Sequence, residues 1–254
     1  MGRDHFVLER RGFVLARASD GGAVYVAPDP EPGGARVWFF TRLGGVSAEP
    51  YDSLNVSKKV GDEPAAVEEN ISLIRRAMGG RPSAWVRQIA GDGVVRVAEA
   101  GFAGEADALF TLERDLCLAV AVADCVPVAL VGQRGVGMVH SGWRGTLAGI
   151  AGKAVRGMGE NGVVAYIGPS IRGCCYEVSE ELAERFAATF GEGVISGRYL
   201  SLPAAVRVDL ERSGVGVIND LGLCSGCRPD LFYSHRKQGP FTGRNLAAVA
   251  KVPS

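Results

Sequence analysis

The chain has 254 residues, with 28 basic and 28 acidic side chains and a hydrophobic content of 47%. Zero net charge excludes a nucleic-acid binder that works through bulk charge, and the length allows a core that needs no disulfide staples. Glycine, at 36 residues, is about twice its usual share of roughly 7% and clusters at turns without a repeating period. This marks a turn-rich α/β or α+β protein.

In chain order, the first twenty residues carry charges every few positions and lack the apolar stretch of a signal peptide, which predicts a cytoplasmic protein. APDPEPGGA at 27–35 reads as a loop between strand-like segments, and RVWFFT at 36–41 as a strand. Residues 64–78 place Val67, Ile71, Ile74 and Met78 on one helical face. Strands are predicted at 84–90, 93–98, 116–123, 126–131, 135–140 and 163–167. Helical spacing returns with Leu147, Ile150, Ala154 and Met158, then with Leu182, Phe186 and Phe190, and less clearly over 203–214. The segment 116–123 alternates large residues with small ones, so it can be covered on both faces. The longest apolar run, 116–131, is interrupted by Asp124 and Pro127 and falls short of the roughly 20 residues that span a bilayer. These features predict one domain over 1–254, an α/β fold bordering on α+β, built as a layered sandwich with a mixed β-sheet flanked by helices.

Six cysteines, at 117, 125, 174, 175, 224 and 227, are expected to be reduced thiols. Cys224 and Cys227 form one C-x-x-C, but Cys174 and Cys175 are adjacent, so a zinc ribbon is the weaker reading.

Strands 126–131 and 135–140 flank a Gly-Gln-Arg-Gly turn and read as a hairpin. With Val131 opposite Val136, Pro127 faces His140 and Cys125 becomes its diagonal neighbour, at a spacing of roughly 7–8 Å. A thiol and an imidazole so placed can bind zinc or copper, act as nucleophile and base, or be a buried structural pair. His140 is followed by Ser-Gly-Trp-Arg-Gly and then helical spacing, a turn suited to an anion, with Arg144 as a planar fork. Thr41-Arg42-Leu43-Gly44-Gly45, Thr242-Gly243-Arg244 and Ser234-His235-Arg236 add Arg-bearing loops around a small anionic or hydroxylated ligand.

These residues also form an ordered set of motifs: TRLGGVS at 41–47, YDSLN at 51–55, VGD at 60–62, ADA at 106–108, ADCVPV at 123–128, HSGWRG at 140–145, IGPSI at 167–171, CYEV at 175–178, then SHR and TGR. Over 41–244 the chain resembles the laccase-domain family, also called YfiH-like or multicopper polyphenol oxidase-like. The resemblance implies a layered α/β domain and a metal site, usually zinc with copper as the alternative, held by one Cys and two His. Members have been described as polyphenol oxidases and as purine nucleoside phosphorylases that also deaminate adenosine and phosphorolyse methylthioadenosine. Carried over, the family's Cys falls on Cys125 and its second His on His140. Its first His lies in Gln-Val-His-Gly, where this chain reads Gln88-Ile89-Ala90-Gly91. A two-ligand remnant weakens metal binding unless His235 or Asp124 moves in. His5, the remaining histidine, reads as an exposed terminal residue.

The expected activity is phosphorolysis of adenosine, inosine or methylthioadenosine, with adenosine deamination as a possible second reaction. Cys125 and His140 are the expected catalytic pair, with Arg42, Asn55, Arg144 and Arg244 holding nucleoside and inorganic phosphate; no nucleic-acid or membrane partner is expected. The alternatives are a metal-independent Cys-His hydrolase, a polyphenol oxidase, which lacks further His-rich sites here, and a ligand-binding relic.

Overall fold

The computed structural model describes residues 12–252, so His5 lies outside the described residues. Two mixed sheets pack face to face. The seven-stranded sheet runs, in spatial order, Phe13–Arg17, Val24–Pro28, Ala35–Phe40, Asn245–Lys251, Cys117–Val122, Ser83–Arg87 and Gly101–Glu105. The six-stranded sheet runs Val217–Asp220, Val164–Ile167, Val126–Val131, Val136–Ser141, Ala108–Thr111 and Val94–Arg96.

Alternation along the strands dictates the layers. Leu118, Val120 and Val122 point into the core between the sheets, where they join Phe39, Val249, Ala129 and Met138. Their small neighbours Cys117 and Ala119 face the other way, against Ile74 of the helix Pro64–Ala77 and the adjoining Met78. This is the two-sided coverage expected of residues 116–123. The outer face of the six-stranded sheet, with Val126, Val128, Leu130 and Val139, is covered by Ile150, Ala154, Phe186, Ala205 and Leu210 of the helices Ile150–Met158, Glu180–Phe190 and Leu202–Arg212. The result is a four-layer sandwich in which helices flank two sheets rather than one.

The predicted hairpin forms in the predicted register, with Val136 opposite Val131 and His140 opposite Pro127. Helical spacing from 146 to 158 becomes two segments, Trp143–Leu147 and Ile150–Met158, because Gly149 takes the left-handed backbone conformation that ends one and starts the other. The strand Asn245–Lys251, central to its sheet, was not predicted: its apolar positions are mostly alanine, so it lacks the β-branched signal. Among the described residues, no helix is long and apolar enough to cross a membrane.

Candidate active site

Cys125 ends the loop that enters the strand Val126–Val131, and His140 is the penultimate residue of the strand Val136–Ser141. A Cβ placed on Gly142 would stand 3.3 Å from Cys125 Sγ and 4.0 Å from His140 Cε1. Glycine there leaves room for the thiol and the imidazole to lie side by side, where a larger residue would push Cys125 Sγ by a few tenths of an ångström. The diagonal neighbourhood inferred from the register is therefore real.

Asp107, which stands in the ADA motif at 106–108 without an assigned role, completes the arrangement. It directly precedes the strand Ala108–Thr111, whose pairing places Val139 opposite Ala108, and the His140 backbone N–H donates to the Asp107 carbonyl at 2.7 Å. The buried Asp107 carboxylate lies 2.7 Å from His140 Nδ1. An ionised carboxylate only accepts, so Nδ1 carries a proton and Nε2 is left for Cys125. The same carboxylate accepts backbone N–H groups from Ile89, Ala90 and Gly91 at 3.2, 3.1 and 2.7 Å.

The charges follow from these contacts. Burial alone would raise the Asp107 carboxyl, but hydrogen bonds from His140 and from the backbone of Gly91 and Ile89 outweigh it and hold the group below the usual carboxylate range. Burial alone would also disfavour the cationic imidazole, yet the negative charge of Cys125 and the Asp107 hydrogen bond raise His140 to about 9. At neutral pH the imidazole is therefore protonated.

The pair opens into a cavity of about 380 Å³ whose walls include Trp143, Ile171, Tyr176, His235, Arg236 and Arg244. Arg244 Nη1 donates to the carbonyls of Thr242 and Gly243 at 2.8 and 2.9 Å. Burial lowers its pKa, against the opposing charges of Cys125 and Asp124, but an arginine stays charged. Arg236 lies 4.8 Å over the Tyr176 ring and donates to the Glu177 carbonyl. Asp124, in the left-handed conformation, accepts from Ser225 Oγ and from the Arg236 backbone N–H, both at 2.7 Å.

Of the expected ligand-binding residues, Arg244 lines the cavity. Arg42 does not: its guanidinium is buried and consumed by the Asp52 carbonyl and carboxylate and the Pro229 carbonyl, and it lies 4.7 Å over the Tyr233 ring. Asn55 is fully buried and acts on scaffold: it donates to Asp62 and accepts the Arg244 backbone N–H at 2.9 Å. Arg144 is exposed and lies over its neighbour Trp143, 4.2 Å from the ring centroid. The helix Trp143–Leu147 starts within the Ser-Gly-Trp-Arg-Gly segment and has only five residues, too short for an appreciable macrodipole behind the expected anion turn.

The metal set carried over by resemblance does not fit. The position that the resemblance gives to the first ligand is Ala90, which offers no ligand atom, and its N–H donates to the carboxylate oxygen that also faces His140 Nδ1. Asp124 is engaged by Ser225 and Arg236, and His235 lines the cavity. Among the described residues, Cys125 and His140 belong to no group of three or more ligand atoms within 4.8 Å of one another. The set that does meet this condition is Cys174, Cys175, Cys224 and Cys227. These four thiols could hold a metal ion, contrary to the reading of the adjacent pair as lacking a useful spacing.

Sequence and fold comparisons agree with this architecture. Residues 36–251 match the family described as multi-copper polyphenol oxidoreductase laccase, and the chain belongs to that family. A Deinococcus radiodurans protein named purine nucleoside phosphorylase is 38% identical over 225 residues, covering 83% of this chain and 87% of that protein. A Streptomyces coelicolor protein of the same name is 40% identical over 228 residues, covering 83% and 93%. Escherichia coli YfiH, also so named, is 33% identical over 233 residues, covering 87% and 95%. The crystal structure of YlmD from Geobacillus stearothermophilus superposes with a TM-score of 0.82 at 29% identity, covering 98% of this chain and 99% of YlmD.

Proposed function

We propose that this chain is a purine nucleoside phosphorylase, acting on adenosine, inosine or methylthioadenosine with inorganic phosphate. The observation that carries the reading is the single cavity in which Cys125, His140 and Arg244 face aromatic walls, in a chain similar to proteins of that name. A phosphate oxygen attacks the ribose carbon as its bond to the purine nitrogen breaks. The purine leaves with the bonding pair and takes a proton, which His140 supplies in its imidazolium form. Charge develops as positive on the sugar, where the polarisable sulfur of Cys125 faces it, and Arg244 with Arg236 holds the phosphate. Tyr176 and Trp143 offer flat faces to the base. The cavity volume lies within the usual range for a small-molecule site.

A second reading has its own observation: Asp107, His140 and Cys125 form a relay able to act in nucleophilic hydrolysis without metal. Nucleosides incubated with and without phosphate, and separated by chromatography, distinguish the two. Phosphate-dependent release of free base that disappears in Cys125→Ser supports phosphorolysis. Absence of any base release from all three nucleosides refutes it. Deamination is not part of the proposal, because the residue set offers no three-ligand centre for a metal-activated water.

A further inference from the structure

We propose that Cys174, Cys175, Cys224 and Cys227 form a structural zinc site that ties together two loops of the cavity wall. The four Sγ atoms lie within 4.8 Å of one another, with Cys227 Sγ 3.5 Å from Cys174 Sγ and 3.4 Å from Cys175 Sγ. Tetrahedral zinc with Zn–S bonds of about 2.3 Å needs neighbouring sulfurs roughly 3.8 Å apart. The cluster has that size. An iron–sulfur cluster distributes its four cysteines over two or more irons and so needs its thiolates spread more widely. Thiols are weak hydrogen-bond donors and acceptors, so contact between them gives little reason to gather four. Four thiolates around a divalent cation give a strong one.

The backbone is shaped for this convergence. Cys175 and Tyr176 both donate their N–H groups to the Arg172 carbonyl, at 2.8 and 3.0 Å, and Cys227 and Arg228 donate theirs to the Cys224 carbonyl, at 3.2 and 3.1 Å. Two tight turns thus present two thiols each. They meet at Gly226, where a Cβ would stand 3.1 Å from Cys175 Cβ and 3.2 Å from its Sγ, closer than packing allows without displacing that ligand.

The site is distinct from the Cys125–His140 pair but is joined to it through the chain. Tyr176, next to Cys175, lines the cavity. Ser225, between the two cysteines of the other turn, donates to Asp124, next to Cys125. A zinc ion here holds the first turn to the second and so fixes both Tyr176 and Asp124. The inference does not depend on which reaction the cavity performs.

The test is elemental analysis of the full chain produced in zinc-replete medium and desalted, together with the Cys224→Ser/Cys227→Ser and Cys125→Ser variants. About one zinc per chain is expected, retained in Cys125→Ser and reduced at least tenfold in the double variant. Cobalt exchanged into the wild-type protein should show the absorption of a tetrahedral tetrathiolate. Should the double variant not fold, mercurial titration of the wild-type protein is the substitute, and zinc release in step with modification of the four cysteines is then the expected result. Wild-type protein with free thiols and no metal, a mass loss matching disulfides, iron in place of zinc, or zinc lost from Cys125→Ser alone would each overturn the proposal.

Discussion

Replacing Asp107 with Asn tests the relay at its base. The carboxylate serves His140 Nδ1 and the Ala90 N–H through one oxygen, and the Gly91 N–H through the other, with Ile89 beside it. Every one of these partners is a donor when Nδ1 is protonated, and the Asn amide can accept at only one of its two ends. If its NH₂ faces Gly91 and Ile89, two backbone donors lose their acceptor. If it faces His140, two donors meet, and the imidazole must give up its Nδ1 proton and become neutral, keeping only Nε2–H. Either orientation abolishes at least one buried hydrogen bond to a charged group, which costs about 3 kcal/mol and, in a chain of this size, lowers Tm by about 6–12 °C. Activity should fall on the order of 10²–10⁴-fold, as for loss of an oriented acid or base. The pH profile supplies a readout that simple destabilisation does not move. His140 is raised to about 9, above an unfolded value of about 6.5, so its contribution to stability is complete below about 6.5 and is lost as pH rises through about 9. The alkaline limb of wild-type activity should therefore fall near pH 9 and move to lower pH in Asp107→Asn. A variant with wild-type activity and an unmoved alkaline limb would refute the role given to Asp107.

Other substitutions separate site from scaffold. Arg244→Ala should raise KM for phosphate about 10–100-fold, the worth of one or two charge-assisted hydrogen bonds, with little change in Tm; a KM unchanged over a phosphate titration would remove Arg244 from the site. Arg42→Ala should do the reverse, losing about 2–3 kcal/mol of stability through its buried hydrogen bonds while phosphate KM holds, as thermal melts alongside kinetics would show. Ala90→His puts an imidazole where the family has one, at a left-handed position that histidine tolerates better than most residues. It should add metal beyond that held by the four cysteines, measured by comparing Ala90→His with Ala90→His/Cys125→Ser, and equal metal content in the two would count against that placement. Gly226→Ala should weaken zinc retention under chelator challenge by displacing Cys175, an effect absent if the thiols hold no ion.

What was legible in the sequence was what local pattern controls. The hairpin register needed only two apolar strands and a short turn, and it correctly brought Cys125 to His140. The ADA motif marked Asp107, but its contact with His140 was not legible because 117–122, lying between it and the hairpin in the chain, is diverted to the other sheet, so 108–111 can return to pair with 136–141. No spacing rule carries that information. Arg42 misled because a buried scaffold arginine and a phosphate-binding one look alike in an Arg/Gly loop; only its partners distinguish them. The four cysteines failed the spacing test because half of the set is an adjacent pair, and its approach to the C-x-x-C depends on the bridge between Ser170 and Cys224, more than fifty positions apart.

The positive charge beside Cys125 comes from the protein's own side chains: His140, held cationic by Asp107, and Arg244 face the same cavity. Asp107 therefore carries weight in this chain: it fixes the protonation of His140 and also caps the 89–91 turn, which holds the position that the resemblance gives to the first histidine. The same carboxylate then governs both the charge of the pair and the shape of the wall beside it, so losing it should affect binding and turnover together.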